Sequence, residues 1–504
     1  MDRWQSFPVQ FEGGLITNLS PLAQATQFPG SAQLLRNFEP STDGGYRRIE
    51  GFSKWDSAQV GGSAGRIRGV TRFNGYAYAA KGTGLYKSSG SGWGSALTTG
   101  LGGSGKVRFA RHHFGSTPVL IVVDGTNKPF KVNAAGSSVT AISSAGTDQE
   151  GATQVVVHKN HLFFAKGTQL SFSAPFSDTD YTAASGAGII SLDNDITNLA
   201  SFREQLFIFT TNTIFVIAGS SSEDFQVQPV TRDIGAPNAD TVQEVGGDIM
   251  FLGPDGLRLL SGTERNNDFG LGVVSKLIQP EMREFLNTST IFSSAVIRGK
   301  SQYRVFGFST ATNDSGRGII GTQFATQGGE GMAWAETRGI NSFCSASVLE
   351  SGVEYVYFAN DDGYVYQMEQ GNTFSGANII ASFKTPQFPI TDPTTRKTFY
   401  KMRLFTDPRG SLEVSLATEY DFDQGETLQP DSVTLSNTTS GTVAIYGSGE
   451  YGSASYGGAN LKYIFDVDLV GSGFVGAYTF TSDSDDPPFS FDSMIIQYGQ
   501  YGRR

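Results

Sequence analysis

Seven segments of the sequence share one pattern: a short apolar strand, a turn with Gly, Asn or Asp, and a second strand with aromatic residues. The first apolar residue of the central strand recurs at intervals of 43, 43, 44, 43, 54 and 53 residues. A period of about 40–50 residues with four short strands per repeat is typical of a β-propeller. We therefore expect an all-β fold with a propeller of six or seven blades, each of about 43–54 residues. A large sandwich or solenoid of sequential hairpins is the alternative. The aligned residues are Tyr76, Val119, Leu162, Leu206, Ile249, Tyr303 and Val356.

The composition agrees with many short strands joined by tight turns. Gly accounts for 63 of the 504 residues, and Phe and Tyr contribute 38 and 19. Glycine supplies the backbone conformations of turns, and aromatic residues favour strands. The formal net charge is −11, and no basic stripe stands out that would grip DNA phosphates. An acidic surface would instead let a polyanion pass without sticking.

The same sequence indicates a soluble chain made in a cytoplasm. No apolar run is long enough to span a membrane, and polar sequence follows Met1 where a signal peptide would be apolar. Cys344 is the single cysteine, which excludes an intramolecular disulfide.

The repeats divide the chain into three parts. Residues 1–60 are expected to form an extended contact segment, 61–390 the propeller, and 391–504 a β-rich, sandwich-like platform domain whose strands alternate polar and apolar residues. A helical insertion is expected near 272–287, because its apolar residues recur at helical spacing. Pro280 would begin a second helix there or kink the first. The apolar positions are Val273, Leu277, Ile278, Met282, Phe285 and Leu286.

Some sequence patterns resemble metal-binding or nucleotide-binding motifs, but a purely structural interpretation fits them better. His158 and His161 flank a predicted strand, so their spacing of three should place them on opposite faces rather than around a metal. The run 100–105 (GLGGSG) matches a nucleotide-binding pattern, but a strand follows it instead of a helix. The acidic runs 193–195 and 482–486 lack the alternating ligands of a calcium loop, although a cation site there stays open.

No nucleophile motif or sugar-hydrolase box is present in the repeats. The nearest match to the Ser-x-Asp-x-Gly-x-x-Trp box of sugar-cleaving propellers, 41–45 (STDGG), lies before the repeats and lacks the Trp. We therefore predict no enzymatic activity, no cofactor and no metal. Two carboxylates that meet in a central pocket would overturn this prediction, since sequence alone does not exclude such a pair.

The two ends of the chain carry a family resemblance. The opening contains 13–17 (GGLIT), 20–22 (SPL), 37–40 (NFEP) and 44–52 (GGYRRIEGF), and the end reads 495–504 (IIQYGQYGRR). These elements resemble the tail nozzle proteins, also called tail tubular protein B, of short-tailed bacteriophages. The resemblance covers both ends by motif and the middle by expected fold.

The resemblance implies a structural role in a virion tail. Six copies would form a tube below the portal and adaptor rings, extend the DNA ejection channel and hold it closed at the tip before infection. The implied partners are other copies of the chain, the adaptor ring, tail fibres, a needle or tip protein, and the host surface at the tip. Viral DNA would pass without specific binding. A host-surface-binding or glycan-cleaving propeller of a phage tail is the alternative function.

Arginine beside aromatic residues is typical of interface anchors. We therefore predict subunit or adaptor contacts through seven residues of the terminal segments and of the Gly/Ser/Tyr loop at 446–458. For the arginines, an intrachain salt bridge that seals the propeller to the terminal domain is equally open. The predicted residues are Tyr46, Arg47, Arg48, Tyr451, Tyr456, Arg503 and Arg504.

Overall fold

Strands dominate the computed structural model, which describes residues 4–219, 221–260, 272–309, 316–326, 329–423, 427–437 and 463–500. Two α-helices lie within these ranges: α1 (Pro21–Gln27) and α2 (Gln279–Thr288). Single 3-10 turns lie at Val60–Gly62, Ala183–Ser185, Ala239–Thr241, Lys276–Ile278, Arg298–Lys300 and Asp421–Asp423. None of the described helices has both the length and the apolarity needed to cross a membrane.

Five short strands precede the repeats, and each joins a sheet formed by distant parts of the chain. They are β1 (Gln5–Gln10), β2 (Leu34–Arg36), β3 (Phe38–Pro40), β4 (Tyr46–Arg48) and β5 (Phe52–Lys54).

Five separate sheets of three or four strands follow in chain order, and we number them as blades 1 to 5. Within each blade, successive strands pair antiparallel, and the first strand lies innermost. The strands are β6 (Ile67–Phe73), β7 (Tyr76–Lys81) and β8 (Gly84–Ser88) in blade 1; β9 (Arg108–His112), β10 (Val119–Val123), β11 (Phe130–Val132) and β12 (Val139–Ala141) in blade 2; β13 (Gln154–His158), β14 (His161–Lys166), β15 (Gln169–Phe172) and β16 (Gly188–Ser191) in blade 3; β17 (Ile196–Phe202), β18 (Gln205–Thr210), β19 (Ile214–Ala218) and β20 (Gln226–Thr231) in blade 4; and β21 (Gln243–Val245), β22 (Asp248–Leu252) and β23 (Leu257–Leu259) in blade 5.

Two further units complete the ring. Blade 6 is the first four strands of a nine-stranded sheet: β24 (Ile291–Ile297), β25 (Gln302–Phe308), β26 (Arg317–Thr326) and β27 (Gly329–Arg338). Blade 7 contains β28 (Cys344–Glu350), β29 (Val353–Ala359) and β30 (Val365–Met368), and takes β5 as its outermost strand. The described residues thus place six separate small sheets in a ring, with the blade 6 strands between blades 5 and 7.

Apolar clusters between neighbouring blades hold the ring together. Val70 and Ala77 of blade 1 share one cluster with Tyr357 and Ala359 of blade 7, so the last blade packs against the first. The middle strands are buried on both faces, and β18 has Leu206 and the four residues after it buried. This double burial explains why such strands read as continuous apolar runs in the sequence.

The prediction of an all-β propeller with six or seven blades is confirmed. Each of the seven aligned residues lies in the second strand of a different blade, from Tyr76 in β7 to Val356 in β29. The first stretched interval contains α2, which begins at the Gln279–Pro280 step, as expected for proline in a first helical turn. The second contains β26 and β27, a hairpin of two ten-residue strands.

The C-terminal part is a sandwich of two packed sheets, as the sequence predicts. The larger sheet continues from blade 6 in the order β27-β2-β31-β37-β33-β34, and the other runs β3-β4-β38-β32-β35. Their inner faces share one apolar core that includes Phe383, Phe480, Met402 and Met494. The strands are β31 (Ile379–Lys384), β32 (Lys397–Pro408), β33 (Leu412–Tyr420), β34 (Val433–Asn437), β35 (Ile464–Asp468), β36 (Ser472–Gly473), β37 (Gly476–Ser484) and β38 (Phe489–Gln500).

Strand β2 joins the propeller to the sandwich. Arg36 pairs in parallel with Glu336 of β27, and Leu34–Arg36 pair antiparallel with Ser382–Lys384 of β31. The N-terminal segment is therefore built into both domains, and its three-residue strand makes blade 6 and one sandwich sheet continuous.

Candidate functional site

Tyr46 lies inside the seam where the N-terminal segment meets the C-terminal sandwich. Its side chain is fully buried, and its ring contacts Phe383 at a centroid distance of 4.9 Å. The hydroxyl lies 2.8 Å from each of the carbonyl oxygens of Glu12 and Gly30, and it accepts from the amide of Gly14 at 3.0 Å. Burial raises the pKa of this phenol well above its usual range. The Tyr46 hydroxyl thus links three points of the N-terminal segment, at Glu12, Gly14 and Gly30.

Gly14 and Gly45, the glycines next to Tyr46 in the structure, are required for steric reasons. Gly14 has a φ of +72°, and a Cβ there would lie 2.7 Å from the backbone nitrogen of Trp334. Gly45 has a φ of +73°, and a Cβ there would lie 2.4 Å from the carbonyl oxygen of Phe491. Both positions combine a left-handed backbone with close approach of another chain segment, which only glycine accommodates without strain.

Arg48 is also fully buried, and its partners belong to the same chain. Its Nη1 donates to the Ser484 carbonyl oxygen at 2.9 Å, and its Nη2 donates to the carbonyl oxygens of Asn372, at 3.2 Å, and Asp486. Burial lowers the pKa of the Arg48 guanidinium, while Asp486 and Asp485 oppose this shift. Tyr46 and Arg48 therefore offer no surface to another subunit in this conformation. Their geometry supports the intrachain alternative, with backbone carbonyls in place of a salt bridge.

The other predicted interface residues differ in position. Arg47 pairs with Glu50 and keeps 17% of its side chain exposed, at the rim of a surface cavity of about 330 Å³ in the sandwich. It stays a predicted contact residue. Tyr451, Tyr456, Arg503 and Arg504 lie outside the described residues.

A buried group of charges ties the N-terminal segment to blade 6. Glu39 of β3 accepts from Lys300 Nζ and from Arg304 Nη2, both at 2.8 Å. Glu369, which follows β30, pairs with the same two cations. Burial alone would raise the pKa of Glu369, but Arg304 and Lys300 hold it at about 2. Sequence reasoning missed this group because its members are up to 330 positions apart.

The centre of the ring contains a cavity of about 340 Å³ lined by the innermost strands. Among the lining residues that the structure describes, Asp240 is the single carboxylate, and its side chain is 26% exposed. Its carboxylate meets Lys106 Nζ at 2.6 Å and Arg108 Nε at 2.9 Å. Burial opposes ionisation, yet Arg108 and Lys106 hold the pKa of Asp240 well below its usual range. Within the described residues, one ion-paired carboxylate lines this cavity, whereas glycoside cleavage uses two carboxyl groups.

The expected placement of His158 and His161 on opposite faces is wrong. They flank a two-residue turn, not a strand, and pair directly across the β13–β14 hairpin. Directly opposed residues of antiparallel strands project from the same face. Each ring has a separate partner: His158 Nδ1 lies 2.8 Å from Ser201 Oγ, and His161 Nδ1 lies 2.6 Å from the Ser173 carbonyl oxygen. Among the described residues, no group of three His, Cys, Asp or Glu side chains could hold a metal.

The glycine-rich run 100–105 is a loop before β9, and it surrounds Arg68. Arg68 Nη1 donates to the carbonyl oxygens of Ser104 and Gly105, both at 2.9 Å, and Nη2 donates to those of Gly82 and Gly102. The run thus supplies backbone carbonyl acceptors that surround the Arg68 guanidinium. No sequence signal links Arg68 to a loop more than thirty positions later.

Comparison with known proteins adds no family assignment. No protein-family model and no curated protein matches the chain. Among solved structures, an extracellular domain from B. thetaiotaomicron assigned to a one-component system is 12% identical, with a TM-score of 0.41, over 76% of this chain and 47% of that one. The computationally designed protein Ika8 is 10% identical, with a TM-score of 0.34, over 62% and 99%. An ancestral GH74 enzyme is 9% identical, with a TM-score of 0.36, over 69% and 51%. The chain spans about half the length of the first and third of these structures, and similarity at this level assigns no function.

Proposed function

We propose that this chain is a structural subunit of the tail nozzle of a short-tailed bacteriophage. Six copies would form a tube that continues the DNA ejection channel below the portal and adaptor rings and gates its tip. The chain would be made in the host cytoplasm and reside in the virion tail. Its other partners would be tail fibres, a needle or tip protein, and the host surface.

One observation carries the proposal: the opening and closing segments that resemble the nozzle family belong to one sheet. The opening motif supplies β3 and β4, and Tyr46 and Arg47 of β4 pair with Phe491 and Ser490 of β38, the strand that continues into the closing motif. The opening motif and the described part of the closing motif thus belong to one sheet. A shared structural element is a stronger basis for the resemblance than two unrelated ends.

The physical properties of the chain suit the wall of a conduit. Blade 6 and one sandwich sheet are continuous through β2, so the two domains are joined by backbone hydrogen bonds. The net charge of −11 disfavours retention of a passing polyanion. The glycan-cleaving alternative has less support, because the one carboxylate among the described residues of the central cavity is ion-paired.

The test is the oligomeric state of the purified chain, with and without its adaptor ring. Light scattering should give six times the chain mass of 54.0 kDa, and electron microscopy should resolve sixfold rings. A monomer that persists with the adaptor and cleaves surface glycans would refute the nozzle role.

Arg47→Ala tests the predicted subunit contact of Arg47 separately from formation of the ring. Arg203→Ala is the matched control, because Arg203 lies on blade 4 with its guanidinium stacked on Phe202. Weakened assembly in Arg47→Ala alone would support Arg47 at a subunit contact. If both variants assembled equally, Arg47 would not be a contact residue, and the proposal of a sixfold ring would be unaffected.

A further inference from the structure

A second cavity, of about 640 Å³, opens beside the central one at the end of the ring where the innermost strands begin. It lies on blade 1, between the segment before β6, the β7–β8 turn and the glycine-rich run 100–105. We call it the basic pocket, because Arg66, Arg68 and Lys81 line it and its lining within the described ranges contains no Asp or Glu. In a chain with net charge −11, such a concentration of positive charge is unexpected.

The three cations of the basic pocket are held by neutral groups. Lys81 Nζ donates to the Val60 carbonyl oxygen at 2.7 Å and to Ser63. Arg66 is exposed, and its guanidinium stacks over the rings of Phe343, at 4.8 Å, and Phe308, at 5.5 Å. Across the described ranges, none of the three cations forms an ion pair.

Arg68 gives the basic pocket a buried charge without an adjacent counter-charge. Its side chain is 5% exposed, and its Nε has no hydrogen-bond partner in the described part of the chain. Asp124 acts on Arg68 from a distance, but its own carboxylate accepts from the amides of Gly102, Thr126 and Asn127. Four backbone carbonyl oxygens accept from the Nη atoms of Arg68, and an anion in the pocket would add the counter-charge that a buried cation favours.

The remaining lining of the basic pocket determines what such an anion could be attached to. Hydroxyl groups of Ser63, Thr83, Thr99 and Ser104 line the walls, and Tyr86 adds an aromatic ring. Hydroxyls can both donate to and accept from sugar hydroxyls. A volume of about 640 Å³ falls in the range of small-molecule sites and exceeds what a bare ion needs. A DNA duplex does not fit into it.

We propose that the basic pocket binds a small sugar that carries an oxyanion, either a phosphate or a carboxylate. Arg66 provides a planar donor group that suits both oxyanions, and Arg68 and Lys81 add positive charge to the pocket. This binding site is separate from the conduit role and does not depend on it. It would let the propeller bind acidic sugars specifically at blade 1.

Titration calorimetry with the full chain at low ionic strength tests the site. Glucose 6-phosphate and glucuronate are the two oxyanion probes, and glucose is the neutral control. At least one oxyanion sugar should bind, glucose should not, and affinity should fall as NaCl increases. Whichever oxyanion sugar binds more tightly identifies the oxyanion.

Two variants at exposed positions locate the binding to the basic pocket. Arg66→Gln removes a cation, and Thr83→Glu places a carboxylate in the turn between β7 and β8. Each should weaken binding by about tenfold or more, the effect of losing one charge-assisted contact. Arg203→Gln, which removes an arginine stacked on Phe202 outside the pocket, should leave affinity unchanged. Unaltered affinity in both pocket variants, equal binding of glucose, or binding of duplex DNA alone would overturn the proposal. Matching thermal unfolding of all variants would establish that they are folded.

Discussion

The guanidinium of Arg48 donates to the backbone carbonyl of Ser484 at 2.9 Å, across 436 positions of sequence. The same side chain reaches the carbonyl of Asn372, which lies between blade 7 and the sandwich. One fully buried cation therefore connects the N-terminal segment, the exit from the ring and the end of the chain.

Replacing Arg48 with Met should strongly destabilise the protein. The variant keeps an apolar stem but leaves several buried carbonyls without a donor, so the loss should be about 3 kcal/mol or more. Arg403→Met is the control, because Arg403 is 47% exposed and pairs with Asp466 on the surface, where an ion pair adds little stability. Chemical denaturation measures both. If Arg48 acted between subunits instead, its effect would depend on protein concentration.

Tyr46→Phe tests the hydroxyl alone. The ring contacts with Phe11 and Phe383 remain, whereas the Gly14 amide loses its acceptor and the Glu12 and Gly30 carbonyl oxygens lose the one hydrogen they share. We expect a loss of about 1–3 kcal/mol in the free energy of unfolding. Tyr463→Phe, at a site that is 51% exposed, should change stability little. Equal stability of the two variants would mean that the hydroxyl contacts contribute nothing net.

Phe52→Ala should open the ring at blade 7. Phe52 lies in β5 and packs against Phe358, Tyr366 and Phe374 at centroid distances of 4.9, 5.2 and 4.9 Å. Truncating a buried phenylalanine costs about 3–5 kcal/mol. Urea unfolding should record this loss, and limited proteolysis should cut first in blade 7. Leu349→Ala in the same blade, at a side chain that is 50% exposed, is the control. Unchanged proteolysis would show that β5 does not fasten the ring.

The buried imidazole of His158 should make stability depend on pH. Burial, with a smaller contribution from Lys159, lowers the pKa of His158 to about 4 from its ordinary 6.5. The folded state therefore favours the neutral ring. This contribution to stability is complete above pH 6.5 and is lost as the pH falls towards 4.

His158→Asn should flatten that dependence. An asparagine nitrogen can still reach Ser201 but does not titrate, so the parent should lose roughly 2–3 kcal/mol more than the variant between pH 6.5 and 4. Unfolding curves at several pH values measure the difference. His113→Asn, at an exposed position, should retain the parent's slope, and a parallel slope in His158→Asn would contradict the assignment.

The propeller could be predicted because its signal is periodic. Doubly buried second strands such as β10 and β18 require runs of apolar residues, and the ring repeats that requirement at near-constant spacing. The first stretched interval also contains the helix that its helical spacing predicts. The sandwich was readable for the same reason, since strands such as β33 alternate buried and exposed residues.

The connections between domains left no such signal. Strands β2 and β5 are three residues long, too short for any periodicity, and their partners lie about 300 positions later or more. The sequence misplaces the histidine pair because Lys159 and Asn160, both with positive φ, form a turn where the pattern favours a strand. Arg68 is bound by backbone carbonyls. Every residue has such a carbonyl, so no residue type in the sequence indicates this contact.

The pairing of β5 with β30 and of β1 with β38 has a consequence for biosynthesis. During translation the first fifty residues leave the ribosome long before the strands that complete their sheets. Until then, β1, β2 and β5 present unpaired edges, and blades 1 to 6 form an open arc. Because closure waits for distant partners, the final folding step should be slow and exposed to aggregation. A chain that stops before β38 would lack the strand that pairs with β1 and β4.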